Sequence, residues 1–571
     1  MSVLKKVCPM FAAAFLLAAA LFVGARDAQA CTAVYVGKDV SADGTIIMAK
    51  SNDYGDNFAN HLVVEPAVKN KSGRKMPVDQ GGTVFAEIPA TTYKYVCTPW
   101  MDSTMAYNKL RRDATICSNE KGVSMLMSIT SFSNEAALKA DPLVELGLTE
   151  FTAVDLVVCQ SATAREAVKV LCSLLDKYGS SEINIALIAD QNEAWYVDMY
   201  TGHQYAAIKL PSDKVCAFGN EFSLEYLSDY EESIVSPNLE SLPAQNGFAV
   251  FGKNKELNLY QTYSGPSITT NYCHMRSWIC HKILSPSVYS EDYDKKALYP
   301  LCFAPDKKVG LQDVMEIMRN RFEGTEYSPD ETGRTDMRVV GTDTALSVHI
   351  AQIYCDLPAD ISSVIWESSG PAIYGVFVPV SNASLRVGAA YAKNQTASEA
   401  EIFDTDNYPY FRFKELCTLS VEHDSWKPYG QPVRAYWHDA ETGMVNGMAA
   451  VVKSAGAMKD KKAAARYITD YCVAMQDKAF DDAGKLLNQV RWAKSKNSNT
   501  LKNGRNPETN EILDQIKPIP PIEVKLDGSA YKEIPDASCG GRIPVAAFVL
   551  IFVALAVVAS LLFVSKRRKN K

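Results

Sequence analysis

Zinc-type ligand spacing is missing from this chain of 571 residues. No Cys-x-x-Cys pair occurs, and the seven histidines lie scattered from His61 to His438, so no metal site is expected. Internal repeats and low-complexity tracts are absent as well. A composition of 47% hydrophobic and 22% charged residues excludes wholesale disorder and fibrous architectures. An excess of positive charge is missing from the body of the chain. Residues 1–30 carry +2 and residues 542–571 carry +6, so with a net charge of −7 the stretch between them carries −15. Phosphate contacts need clustered Lys and Arg, so a nucleic-acid partner is set aside.

What is present begins with two unusual ends. Lys5 and Lys6 precede an apolar stretch from Met10 to Val23, and Ala28-Gln29-Ala30 follows as a small-x-small site. That is the layout of a secretory signal peptide over residues 1–30, and cleavage after Ala30 makes Cys31 the first mature residue. At the other end, Ile543 to Val564 is an uninterrupted apolar run of 22 residues, long enough for one transmembrane helix. The basic tail over residues 565–571, with Lys566, Arg567, Arg568, Lys569 and Lys571, favours the cytoplasmic side. The expected protein is an exported body, extracellular or periplasmic, held to the membrane by its C-terminal helix. Residues 496–542, with Lys517-Pro518-Ile519-Pro520-Pro521, read as an extended stalk. Of the fourteen cysteines, Cys8 lies in the signal, and an exported body with the remainder permits disulfides.

Within the body, Thr32, Val34 and Val36 share one parity, Asp43-Gly44 marks a turn, and Thr45 to Lys50 forms a second run. This predicts a hairpin beginning at the mature N-terminus. Further strands are predicted over 183–190, 194–200 and 204–209. Thr163-Ala164-Arg165-Glu166 is a capping box opening a helix that Gly179 closes. Other helices are predicted over 311–322 and 460–490. Strands clustered among helices argue α+β layers rather than sequential βαβ units.

Cys31 carries the chemistry. Released by cleavage, it has a thiol and a free α-amine on one residue. An α-amine with an ordinary pKa of about 7.7–8.0 can accept the thiol proton near neutral pH. Two plainer readings stand beside this one: a lipid-modified cysteine and one half of a disulfide. Against lipidation, Ala28 and Gln29 depart from the usual lipobox, and a C-terminal anchor makes a second one redundant.

The sequence Cys31-Thr32-Ala33-Val34-Tyr35-Val36-Gly37-Lys38 resembles the start of the N-terminal-cysteine dipeptidases of the N-terminal nucleophile hydrolase superfamily. The resemblance continues through Asp141 to Glu145, Gly147-Leu148-Thr149-Glu150, Trp195 to Gln204, Met318 to Thr325 and Val376 to Pro379, and covers residues 31–495. It implies an α+β fold, a four-layer αββα sandwich with the nucleophile at the start of a central strand. It also implies cysteine-dipeptidase activity on dipeptide substrates, with no cofactor. Lys50-Ser51-Asn52-Asp53 matches an Arg-x-x-Asp element of the related amidases, with Lys50 where that element usually has Arg. The resemblance makes Asp53 the group that orients the α-amine or meets a substrate ammonium. Asn119 and Asn220 match oxyanion-site positions, and Arg276 resembles a distal arginine. Lys50 and Arg276 are then candidates for binding the charged substrate ends. Acyl-amide hydrolases of the same superfamily, and an inactive surface-binding protein with the same fold, are the alternative readings.

Overall fold

Fifteen strands carry the two large sheets of the computed structural model, which describes residues 31–496 apart from 54–58, 72, 100–113, 128, 253, 266–272, 335, 396–402 and 422–425. In chain order they are β1 (Ala33–Val36), β2 (Ile46–Asp53), β3 (Val63–Glu65), β4 (Tyr95–Pro99), β5 (Ala114–Asn119), β6 (Ser124–Leu126), β7 (Asn184–Ala189), β8 (Ala194–Met199), β9 (Tyr205–Lys209), β10 (Val215–Phe218), β11 (Ser233–Val235), β12 (Cys302–Phe303), β13 (Ala345–Ile353), β14 (Ser363–Ser369) and β15 (Val378–Ser381). The first sheet runs β12-β10-β1-β2-β13-β14-β15, and the second runs β11-β9-β8-β7-β6-β5-β4-β3. Every neighbouring pair in both is antiparallel.

The sheets stack face to face, β2 over β6 and β14 over β5. Helices cover the outer faces. On the second sheet α1 (Glu150–Val158) packs on β5 and β6, and α2 (Ala164–Tyr178) packs on β7 and β8. On the first sheet lie α3 (His274–Leu284) against β10, α4 (Leu311–Met318) against β2 and β13, α5 (Pro409–Val421) against β14, and α6 (Gln431–Gly456) and α7 (Lys461–Ser495) against β15. The result is helix, sheet, sheet, helix. Strand alternation explains it: on β7, Ile185, Leu187 and Ala189 join the core between the sheets, while Ala186 and Ile188 join the core under α1 and α2.

The predicted hairpin is present. Ala33 pairs with Lys50 and Val36 with Ile47. Asp43 Oδ1 accepts from the Thr45 N–H at 3.2 Å and from the Ser41 hydroxyl at 2.8 Å, and Gly44 takes φ +75°. The three strands predicted over 183–209 fall where expected. Thr163 caps α2 by accepting from the Glu166 N–H at 3.1 Å, and Gly179 ends it at φ +71°. Glu166 returns its bond to the Ala162 N–H at 2.7 Å, one residue before the cap. The predicted helix over 311–322 stops at Met318, where the N–H groups of Arg319 and Asn320 turn to the carbonyls three residues back, Glu316 and Ile317, and Phe322 beyond them takes φ +60°. The predicted helix over 460–490 starts at its Asp460 cap and runs on to Ser495. The expected signal peptide, stalk (apart from Lys496), transmembrane helix and basic tail fall on residues 1–30 and 497–571, outside the described residues. Among the described residues no helix is long and apolar enough to cross a membrane.

Candidate active site

The hairpin places Cys31 at the head of β1, in the middle of the first sheet, with β2 on one side and β10 on the other. Thr32 ties the strand start to β2: its N–H donates to Ser51 Oγ at 3.1 Å, and its carbonyl accepts from the Ser51 N–H at 3.0 Å. The Cys31 thiol is free and fully buried. Burial, with the Asp53 carboxylate second, pushes the thiol up to about 11. Two features work in the opposite direction. The Lys50 ammonium favours the thiolate, and the Asp53 backbone N–H points at the sulfur.

Lys50 and Asp53 are buried with it. Burial lowers Lys50 to about 8, against the pull of Cys31, Glu150 and Asp53. Its ammonium donates to Asn52 Oδ1, and Asn52 Nδ2 donates onward to Thr115 Oγ1 at 3.1 Å and Ser347 Oγ at 3.0 Å. Burial raises Asp53 to about 6, opposed by Arg338 and Arg276. Arg338 Nη2 stands 3.7 Å from Asp53 Oδ2.

Arg276 sits on α3 with no exposed surface and holds three groups at once. Nη1 donates to the Cys31 carbonyl and, at 3.0 Å, to Thr32 Oγ1, while Nη2 donates to Asn220 Oδ1 at 2.6 Å. Gly219 makes room for it: a Cβ there would lie 2.6 Å from the Cys273 carbonyl oxygen and 3.2 Å from Arg276 Cζ. Asn220 gives one amide proton to the Thr130 carbonyl at 2.6 Å. Its carboxamide is therefore held by both ends beside the nucleophile.

Of the residues expected from sequence, the structure gathers Cys31, Lys50, Asp53, Asn220 and Arg276. It does not gather Asn119. At the end of β5, Asn119 Nδ2 donates to the Val158 and Ser161 carbonyls at 2.7 and 2.8 Å, and Oδ1 accepts from the Lys121 and Val123 N–H groups at 2.9 and 3.0 Å. With both amide protons given to main chain, it stitches the β5–β6 turn to the end of α1 and has none left for an oxyanion. Arg276 and Lys50, expected to bind the charged substrate ends, both lie against the nucleophile. Arg276 donates to Cys31, Thr32 and Asn220, and Lys50 donates to Asn52, contacts that tie both side chains to the nucleophile's own surroundings.

Two charged residues were missed. Arg338 carries no local pattern that marks it; its side chain is 18% exposed, and its Nε has no hydrogen-bond partner among the described residues. Glu150 was visible only as part of a motif. It opens α1, is buried, accepts from Asn184 Nδ2 at 2.9 Å, and acts electrostatically on both Cys31 and Lys50. A carboxylate at the head of an apolar run (Phe151, Ala153, Val154, Leu156, Val157) was the available signal.

The family model for peptidase family C69 matches residues 30–438. A probable dipeptidase B from Streptococcus pyogenes serotype M1 is 28% identical over 475 residues, which is 80% of this chain and 89% of that protein. A probable dipeptidase from Latilactobacillus sakei is 27% identical over 372 residues, 62% of this chain and 74% of that protein. Among solved structures, a conjugated bile acid hydrolase from Clostridium perfringens aligns over 59% of this chain and 89% of its own, at 11% identity and a TM-score of 0.27, too low to bear on the fold.

Proposed function

The chain belongs to peptidase family C69, and from that membership we infer a cysteine-type dipeptidase, exported and anchored by its C-terminal helix, with Cys31 as nucleophile and its own α-amine as base. The observation that carries the reading is the surround of Cys31: a buried thiol at a strand head, with a backbone N–H and a lysine ammonium disposed to favour its thiolate. The four-layer packing agrees with an N-terminal nucleophile hydrolase.

The reaction follows from these positions. Removal of residues 1–30 frees the Cys31 amine, which takes the thiol proton. The thiolate attacks the scissile carbonyl, and the remaining amide proton of Asn220 meets the oxyanion, its carboxamide aimed by Arg276. The new ammonium gives its proton to the leaving amine, and water then hydrolyses the thioester. A dipeptidase must also read both charged termini of its substrate. Arg338, partly exposed, suits the α-carboxylate, and the Asp53 and Glu150 carboxylates supply the negative field for the α-ammonium.

Intact mass and N-terminal sequencing of the native membrane protein test the reading, paired with dipeptide hydrolysis. A free Cys31 start, with turnover lost in Cys31→Ala, is the expected result. A start elsewhere, or a diacylglycerol mass on Cys31, leaves the amine unavailable and sinks the mechanism.

A further inference from the structure

The edge strand β12 is two residues long and is held to β10 through two register pairs, Val215 with Phe303 and Cys216 with Cys302. The two sulfurs of the second pair lie 3.0 Å apart, within about an ångström of a bonded pair. Cys216 is buried and Cys302 half-buried, as its place on the edge strand implies. A third thiol, Cys355, belongs to the same neighbourhood: burial and the thiols of Cys216, Cys302 and Cys355 together push the Tyr35 phenol up. Its sulfur is turned to the Ile353 carbonyl at 3.8 Å. The three thiols do not form a metal cage, since among the described residues no group of three His, Cys, Asp or Glu could hold an ion.

We propose that Cys216 and Cys302 form a disulfide that fastens β12 to β10. Two S–H bonds break and one S–S bond forms. The two electrons and two protons pass to the disulfide of an exchange partner, such as oxidised glutathione, which leaves as two thiols. The bridge closes the long loop that contains α3, and Asn220 lies four residues beyond Cys216. It therefore fixes both ends of the segment that delivers Asn220 and Arg276 to Cys31. Its presence in the cell rests on the export reading, because such bridges persist in oxidising compartments. The competence of the pair does not.

The test uses full-length protein from membranes of its own host, with free thiols trapped by N-ethylmaleimide before and after incubation with oxidised glutathione. Unreduced digests are then mapped by mass. Peptides holding Cys216 and Cys302 should be joined, about two daltons below their summed mass, in both samples. Cys216→Ser and Cys302→Ser should each abolish the joined peptide, and Cys355→Ser should leave it intact. Reduction should lower Tm by roughly 5 °C in wild type and leave Cys302→Ser unmoved. Maleimide on both cysteines after glutathione, or Cys216 joined to Cys355, overturns the proposal even on a chain that begins at Cys31. Linkage formed by glutathione but lacking in the isolated protein upholds the pair and counts against export instead.

Discussion

At Cys31 burial and the Asp53 and Glu150 carboxylates oppose the thiolate that Lys50 and the Asp53 N–H favour. Desolvation makes the thiol a poor acid, yet Lys50 and the Asp53 N–H favour the thiolate. The charges beside it then govern the pH dependence. With Asp53 raised to about 6 and Lys50 lowered to about 8, kcat/KM for a dipeptide should rise through the first value and fall through the second, the apparent limbs belonging to the coupled group. Residual activity of Asp53→Asn should lack the acid limb; an unchanged limb would remove Asp53 from the mechanism. Stability has its own signs. Asp53 binds its proton more tightly folded than unfolded, so its contribution falls as pH rises from the ordinary carboxyl value to about 6. Lys50 binds its proton less tightly folded, so stability recovers from about 8 up to the ordinary lysine value. The two arginines should separate kinetically. Arg276→Lys cannot span Cys31, Thr32 and Asn220 and should lower kcat by roughly 100-fold. Arg338→Met, losing a charged contact of about 1.5–3 kcal/mol, should act mainly on KM, by roughly 10- to 100-fold. Equal kcat losses in both would deny Arg338 a place on the substrate. Cys31, Lys50 and Asp53 were legible because one hairpin carries them. Asn119 misled because an asparagine after a strand reads alike whether its amide faces a ligand or a turn. Arg338 has no sequence neighbour in the site at all.

At the scale of elements, the β10–α3 junction determines whether the site is assembled. Gly219 is there for space, and the atom a Cβ would meet at 2.6 Å is the Cys273 backbone carbonyl, which cannot rotate away. Gly219→Ala should push α3 and Arg276 outward. Its expected signature is a kcat loss of at least tenfold with unchanged circular dichroism. Wild-type kcat in that variant would show that Arg276 placement has slack. Helices were legible in proportion to their exposure. α2 turns Ala167, Val168, Leu171, Leu174 and Leu175 to the core and its other face to water, so period and caps both showed. Removing its cap, Thr163→Ala, should cost about 1 kcal/mol in denaturant unfolding with activity intact. α1 gave no such pattern, because every residue from Glu150 to Val158 is buried. α6 was missed although Val433, Trp437, Ala440, Met444, Met448 and Val451 form a stripe. Gly443, Gly447 and Gly456 dilute its helix propensity, and Gly447 is explained only by the partner helix: a Cβ there would lie 2.1 Å from the Tyr471 hydroxyl on α7.

At the scale of the whole molecule, the folded body has to end before the proposed tether begins. The family match ends at 438, inside α6, yet the body does not. α7 buries Ile468, Tyr471, Cys472, Met475, Leu486, Leu487 and Val490, its Tyr471 hydroxyl donates to the Met444 carbonyl at 2.9 Å, and Gln476 Nε2 donates to the Pro379 carbonyl at 2.8 Å. It is therefore the outer cover of β15, and the body extends through Ser495. Layering of this kind could not be read from periodicity alone, since strands buried on both faces, such as Asn184–Ala189, lose the alternation that tells inside from outside. The proposed tether rests on different physics, a 22-residue apolar run followed by cations. The two arguments meet in a pair of truncations. A chain ending at Lys496 keeps all of α7 and should leave the membrane fraction as an exported, soluble protein with kcat/KM within about twofold of wild type. A chain ending at Gly456 strips the cover from β15, exposes the apolar faces of α5 and α6, and should aggregate or be degraded. If the Lys496 variant stays with the membrane, the tether lies elsewhere, with an uncleaved N-terminal run as the first suspect. That outcome would also take away the free amine on which Cys31 chemistry depends, so one fractionation experiment bears on both the anchor and the nucleophile.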